Sequence, residues 1–412
     1  MLTRRSFLQT TTLAAAATPS RPKRIAIVAA AYTPLSHAQQ MCDRLLTGYP
    51  SQGAWHKPDM KVVSLYVDQK PEGDLSGARA KEFDFQIYPT IAEALRCGGK
   101  ELAADAVLIV ADHGNYPRNE MGQTLYPRFE FFDQCAKVFE QDHRAVPVYN
   151  DMHLSYSFDK AKKMVDASRR LRFPLLAGSS LPLTWRLPAI DLPAGCVIEE
   201  ALMVGYGESD SADFDALEAL QCMVERRRGG EAGVKAVQLL EGDAVWKAGE
   251  EGRYSKALLS SALSRSDNPL GLSVTDGRTQ DLVGSGQLQV LAKNPVAYFI
   301  EYRDGLKATL LMVEGAVKDY NFSARVSGVQ QLQATQFLLT PAPTFTYYEC
   351  LIDKVERMIE SGVAPYPVDR TLLTGGILES CLTSKVKNHA RVETPHLNVA
   401  YKAPLKSQFM QV

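Results

Sequence analysis

Over residues 23–172, apolar runs of strand length alternate with stretches of helical periodicity, a pattern that few folds satisfy. The runs are KRIAIVAAA at 23–31, KVVSLYVD at 61–68, DAVLIVA at 105–111 and the segment 146–149, with a short extended piece at 85–88. Between them lie amphipathic stretches. Residues 37–46 carry Met41 and Leu45 at helical spacing, Thr90 caps a helix with Glu93 three residues on, and 128–140 follows. Strand and helix in turn specify a parallel, doubly wound α/β sheet of Rossmann type. Ligands of such sheets bind beyond the carboxyl ends of the strands. Polar residues collect at those ends: Tyr32 and Thr33, then Asp68, then Asp112 to Asn115, then Asn150 to His153.

A dinucleotide fold places G-x-G-x-x-G in the first turn, where this chain reads Ala29-Ala30-Ala31-Tyr32-Thr33-Pro34. Alanine allows the turn but not the close approach to a pyrophosphate that glycine gives. Asp68 ends the second strand, where an acid bonds the ribose of NAD and repels the 2′-phosphate of NADP. A loop insertion at 48–59 separates it from the first turn. A nicotinamide cofactor, NAD in preference to NADP, is expected against Ala29, Ala31, Tyr32, Thr33, Asp68, Asp112 and Asn150. The turn Asn150-Asp151-Met152-His153 joins an amide, an acid and an imidazole, and chemistry is expected there. His153 is the candidate general acid/base, Asp151 orients it or anchors a substrate hydroxyl, and His113 lies beside the nicotinamide or the substrate.

At 412 residues the chain holds two domains. The first covers 21–172, an α+β second covers 173–385, and a tail at 386–412 reads as an arm over a neighbouring subunit. A strand at 173–176 and a turn at 178–182 lead to Trp185 and Arg186. These are a stacking plane and an anion clamp for substrate, or a core tryptophan with a surface arginine. A strand at 197–207 precedes a helix at 213–228, which offers Asp215 to the substrate and ends in a basic run read as solvated. Another strand at 233–240 and a helix at 244–264 follow. From 287 to 340 the period becomes two, in QLQVLAK, AYFIEYRD, KATLLMVE, DYNFSARV and LQATQFLL, an open antiparallel sheet. Helices at 345–361 and 370–384 close the domain, the last packing back on the first domain.

Residues 1–20 read as a targeting signal, because Thr3-Arg4-Arg5-Ser6-Phe7-Leu8 matches the twin-arginine export pattern ahead of an alanine-rich stretch. Export in folded, cofactor-loaded form is expected, to the periplasm or beyond, with no lipid anchor. A formal net charge of -1 argues against a nucleic-acid partner, and no apolar run is long enough to span a membrane. The seven cysteines include no CxxC pair, which argues against a zinc site and for buried, reduced thiols at Cys135 and Cys222.

These segments together resemble the glucose-fructose oxidoreductase / inositol dehydrogenase / MocA (Gfo/Idh/MocA) family over nearly the whole chain after residue 22. KRIAIVAAAYTPLSHAQQM stands at the family's first strand and glycine turn, KVVSLYVD at its second strand, and YPTIAEAL and DAVLIVADHGNYP at the segments that follow. VPVYNDMHLSYSFDKAKKMVD stands around its catalytic Glu-Lys-Pro, and YECLIDKVERMIESGVAPYPVDRTLLTGGILESCLTS at its closing helices. The resemblance implies an oxidoreductase that uses NAD or NADP on a sugar, polyol or glycoside, assembled as a homo-oligomer through the faces of its open sheet. Three departures accompany it. The Glu-Lys-Pro falls on Asp151-Met152-His153, and a thioether neither carries charge nor donates a hydrogen bond. The family's downstream His and Asp would fall around 213–218, where no histidine stands. The glycine turn is eroded.

Three readings remain open. One is the exported oxidoreductase, with no metal assigned. Another is a non-redox carbohydrate- or nucleotide-binding relative that keeps the fold. The third is a metal-assisted lyase or hydrolase using Asp112, His113, Asp151 and His153.

Overall fold

In the computed structural model, which describes residues 21–271 and 275–411, strand β1 (Lys23–Ala29) is buried on both faces. Ile25 and Ile27 enter one core and Ala26 and Val28 the other, which is why the sequence reads as an unbroken apolar run. The first domain continues through α1 (His37–Thr47), β2 (Tyr49–Ser51), β3 (Ala54–His56), β4 (Met60–Val67), α2 (Ser76–Phe83), β5 (Gln86–Ile87), α3 (Ile91–Arg96), β6 (Ala106–Val110), α4 (Arg128–Gln141), β7 (Val148–Asp151), α5 (Phe158–Leu171) and β8 (Leu175–Gly178). Six of these strands form a parallel sheet in the order β5–β4–β1–β6–β7–β8. The sheet therefore runs past residue 172, since β8 pairs with β7. Thr90 caps α3 as expected, its side chain accepting from the Glu93 amide.

The second domain comprises β9 (Arg186–Leu187), β10 (Ile198–Gly205), α6 (Asp210–Val224), β11 (Val234–Glu241), α7 (Asp243–Glu250), α8 (Lys256–Leu263), α9 (Gln287–Leu291), β12 (Val296–Tyr302), β13 (Lys307–Met312), β14 (Tyr320–Val326), β15 (Gln333–Phe337), α10 (Tyr347–Ser361), α11 (Asp369–Val386) and β16 (Val392–Glu393). Its eight-stranded sheet runs β16–β11–β12–β13–β10–β14–β15–β9 and is antiparallel except at the β10–β13 pair. Two helices from the end of the chain return to the first domain. Leu351, Ile352 and Val355 of α10 complete the core beside Ile25, Ile27 and Met41, and α11 packs on α5, α6 and β11.

Several expectations change. The 48–59 insertion forms a hairpin, β2–β3, whose Tyr49 and His56 bond Glu356 of α10. Residues 287–291 are helix, and the helix expected at 244–264 breaks around Gly252, in the left-handed region at φ 74°. The second face of the large sheet is covered, with Leu202, Val204, Phe299 and Leu311 packing under Val245, Leu258 and Leu288 of α7 to α9. In the basic run after α6, Arg228 is exposed but Arg226 and Arg227 are buried: Arg226 bonds the carbonyls of Leu192, Pro404 and Leu405, and Arg227 bonds Glu231 and Asp304. The tail thus folds on its own chain, with Phe409 stacked on Arg186. All seven cysteines are free thiols. The twin-arginine segment lies outside the described residues.

Candidate active site

The carboxyl ends of β1, β6, β7 and β8 open into the crevice between the domains, and helix α6 closes it from the second. After β6 the chain turns through Asp112 and His113, the latter at φ 66°, a left-handed conformation that non-glycine residues rarely hold. After β7 it turns through Met152 at φ 62°, and Asn150 fixes the turn by donating to the carbonyls of Asp151 and His153. Gly178 at the end of β8 must stay small, because a Cβ there would lie 2.6 Å from Glu218 Oε2.

One residue that the sequence reading left inside a helix organises the cluster. His37 is the first residue of α1, placed there by the cap at Ser36, whose hydroxyl accepts from the Gln39 amide. Its Nδ1 lies 2.6 Å from Asp151 Oδ2 and 3.5 Å from Asp112 Oδ2. Its ring meets His113 edge-on at 5.0 Å and Tyr348 at 5.4 Å. Burial works against the charged imidazole, but Asp151 and Asp112, with Asp215, raise its pKa to about 9. Burial would raise Asp112, yet His37, Arg128 and His113 hold it down at about 2. Asp112 is further tied by the His113 amide at 2.9 Å.

From the second domain, Asp215 accepts the Ser179 hydroxyl across the crevice. Burial raises its carboxyl to about 7, against the opposing pull of Ser179 and His37. Half-buried Tyr206 and Tyr347 lie within reach of its charge.

His153, expected as the acid/base, is placed elsewhere. It is 1% exposed, its Nε2 accepts from Arg128 Nη1 at 3.1 Å, and burial followed by Arg128 pushes its pKa down to about 3. It is a neutral core histidine behind Arg128. Asp151, expected to orient His153 or to anchor a substrate hydroxyl, bonds His37 instead. Trp185 and Arg186 stand away from the cluster and reverse the expected exposure. Arg186 is buried between Phe337 and Phe409, while Trp185 lines a separate cavity of about 530 Å³ with Tyr49, Glu349 and Met410.

The expected cofactor residues divide. Ala29, Ala31 and Tyr32 are buried, and the Tyr32 hydroxyl donates inward to Asp43. Asp68 is exposed at the end of β4 and accepts hydroxyls from Tyr66 and Tyr116. In the first turn Leu35 takes φ 63°, a conformation suited to glycine, and the amides of Thr33 and Leu35 bond the side chains of Ser36 and Gln39. At the start of α1 the Gln39 amide is likewise taken, by the Ser36 hydroxyl.

Glu218 sits behind this site, fully buried, with Oε1 2.6 Å from the Thr374 hydroxyl. Burial raises its carboxyl from 4.5 to about 7. An acid whose folded pKa exceeds its unfolded one stabilises the fold less as pH rises between the two values. The protein should therefore lose about 3 kcal/mol from this group between pH ~4.5 and ~8, and Glu218→Gln should flatten that slope. Urea unfolding at both pH values checks this, and an equal slope in the variant would count against it.

No protein-family model matches the sequence. No curated protein matches it either. The fold has clear counterparts among solved structures. GenD2 from gentamicin A biosynthesis, in complex with NAD, superposes with a TM-score of 0.55 at 11% identity, over 93% of this chain and 99% of its own. A probable dehydrogenase from Thermotoga maritima gives 0.54 at 11% identity, over 91% and 99%. Myo-inositol dehydrogenase from Lactobacillus casei, in complex with NAD(H) and myo-inositol, gives 0.54 at 10% identity, over 90% and 96%. In fold, the protein is of the two-domain Gfo/Idh/MocA type.

Proposed function

We propose that the protein is an oxidoreductase acting on a small polyhydroxylated substrate, a sugar or polyol, bound in the interdomain crevice. The observation that carries this reading is the convergence of Asp112 and Asp151 from one domain and Asp215 from the other on the His37 imidazole. His37, held by Asp151, faces the reacting oxygen, and Asp215 exchanges its proton. The nicotinamide dinucleotides of GenD2 and the L. casei enzyme support NAD as the hydride carrier. Asp68 would hold its ribose and the start of α1 its pyrophosphate, with the Ser36 and Gln39 side chains released from the turn amides. When bound, the cofactor accepts or gives the hydride. Asp68 favours NAD over NADP.

The test is to incubate the purified chain with NAD and a panel of inositols and sugars and follow absorbance of the reduced cofactor. Turnover is expected, lowered about 10²–10³-fold by His37→Ala, the scale of losing one electrostatic contact to the reacting oxygen. Absence of both turnover and dinucleotide binding would overturn the reading. The occupied turn amides favour a second reading, a non-redox carbohydrate-binding protein. Sugar binding without dinucleotide binding selects it.

Export belongs to the same proposal and is supported by Arg4 and Arg5. Self-association is part of the proposal as well, and a single monomeric mass in solution removes it.

A further inference from the structure

We infer that the first-domain wall of the crevice is a divalent-metal site of the zinc type, with His37, Asp112 and His113 as ligands. One ligand atom from each lies within 4.8 Å of the others. Two imidazoles and a carboxylate suit borderline cations such as Zn²⁺, and three protein ligands leave positions open to a substrate oxygen.

The surroundings of the three side chains point the same way. Asp151 holds His37 Nδ1 at 2.6 Å, leaving Nε2 as the free nitrogen of that ring. A carboxylate bonded to the far side of an imidazole is the arrangement that orients histidine ligands of metals. The Asp112 carboxylate takes hydrogen bonds from the Tyr126 hydroxyl and, through Oδ1, from the His113 amide, while Oδ2 stands 3.5 Å from His37 Nδ1 and 3.6 Å from Arg128 Nη2. Those separations exceed close hydrogen bonds. His113 is exposed and His37 only partly covered, so an ion can enter from the crevice. The ion would polarise the substrate hydroxyl and ease loss of its proton to Asp215. The inference rests on the proposed function for that substrate hydroxyl and for the role of Asp215, while binding of the ion itself does not depend on it.

The experiment titrates the EDTA-stripped full chain with ZnCl₂ by calorimetry, and with CoCl₂ by visible absorption. One equivalent is expected to bind. His37→Ala and His113→Ala should each weaken binding by more than about 100-fold, and Asp151→Asn by about 10–100-fold. His143→Ala, at an exposed histidine outside the cluster, should leave it unchanged. Unaltered affinity in His37→Ala and His113→Ala, both with the parent circular dichroism, overturns the site. So does absence of binding at millimolar zinc. The titration needs neither dinucleotide nor sugar. Zinc bound without any dinucleotide affinity overturns the oxidoreductase reading alone, and the reverse result overturns the metal site alone.

Discussion

Exchanging Asp215 for asparagine is expected to lower the rate of alcohol oxidation by about 10²–10⁴-fold, the usual contribution of a positioned general base. Asp215 reaches the crevice from α6, bonded to Ser179 and facing the His37 cluster, and burial holds its carboxyl at about 7. A base must be ionised to accept a proton, so oxidation by the parent should rise as pH increases through about 7. In the reducing direction the same group must be protonated, and the rate should fall over that range. Asparagine keeps the size and the contact to Ser179 but cannot titrate. The variant should therefore lose the limb near pH 7 as well as the rate, whereas a merely structural residue would lower rate at every pH alike. A pH–rate profile of Asp215→Asn that keeps the parent's limb would remove Asp215 from proton transfer.

The largest expected loss of stability comes from Arg370→Met. Arg370, on α11, forms a bidentate pair with Glu225 at the end of α6, at 2.5 and 2.9 Å, and stacks on Tyr366 at 4.2 Å. Both partners are almost wholly buried. Removing the arginine strands a carboxylate in a dry core beside Glu218, at a cost of about 3–5 kcal/mol. Replacing both partners, in Arg370→Met with Glu225→Gln, should recover most of that loss, because the cost lies in the unpaired charge rather than in the missing contact. Urea unfolding of the two variants checks this. A single variant within about 1 kcal/mol of the parent would show that water reaches Glu225.

Much of the first domain was legible in the chain because its order is local. β1, β4, β6 and β7 are apolar runs that a doubly covered parallel sheet requires, and the polar residues at their ends mark the crevice. Asp112, His113 and Asp151 were readable for that reason, each standing directly at or after a strand. The strand at 287–293 was misread because a short apolar segment satisfies both periods, and its burial against the sheet decided for helix. The basic run after α6 looked solvated because no sequence signal tells that the tail returns to cover it.

By itself, then, the sequence determined the α/β order, the position of the crevice and the acids at its rim, since these follow from periodicity and strand ends. Only the tertiary structure decided which histidine meets Asp151 there. His153 is nearer in sequence to Asp151, but its turn aims it into the core against Arg128 and Phe214. His37, 114 residues away, is delivered to Asp151 by the start of α1. That pairing depends on parallel strands bringing distant loops to one edge, a non-local geometry that no spacing along the chain encodes.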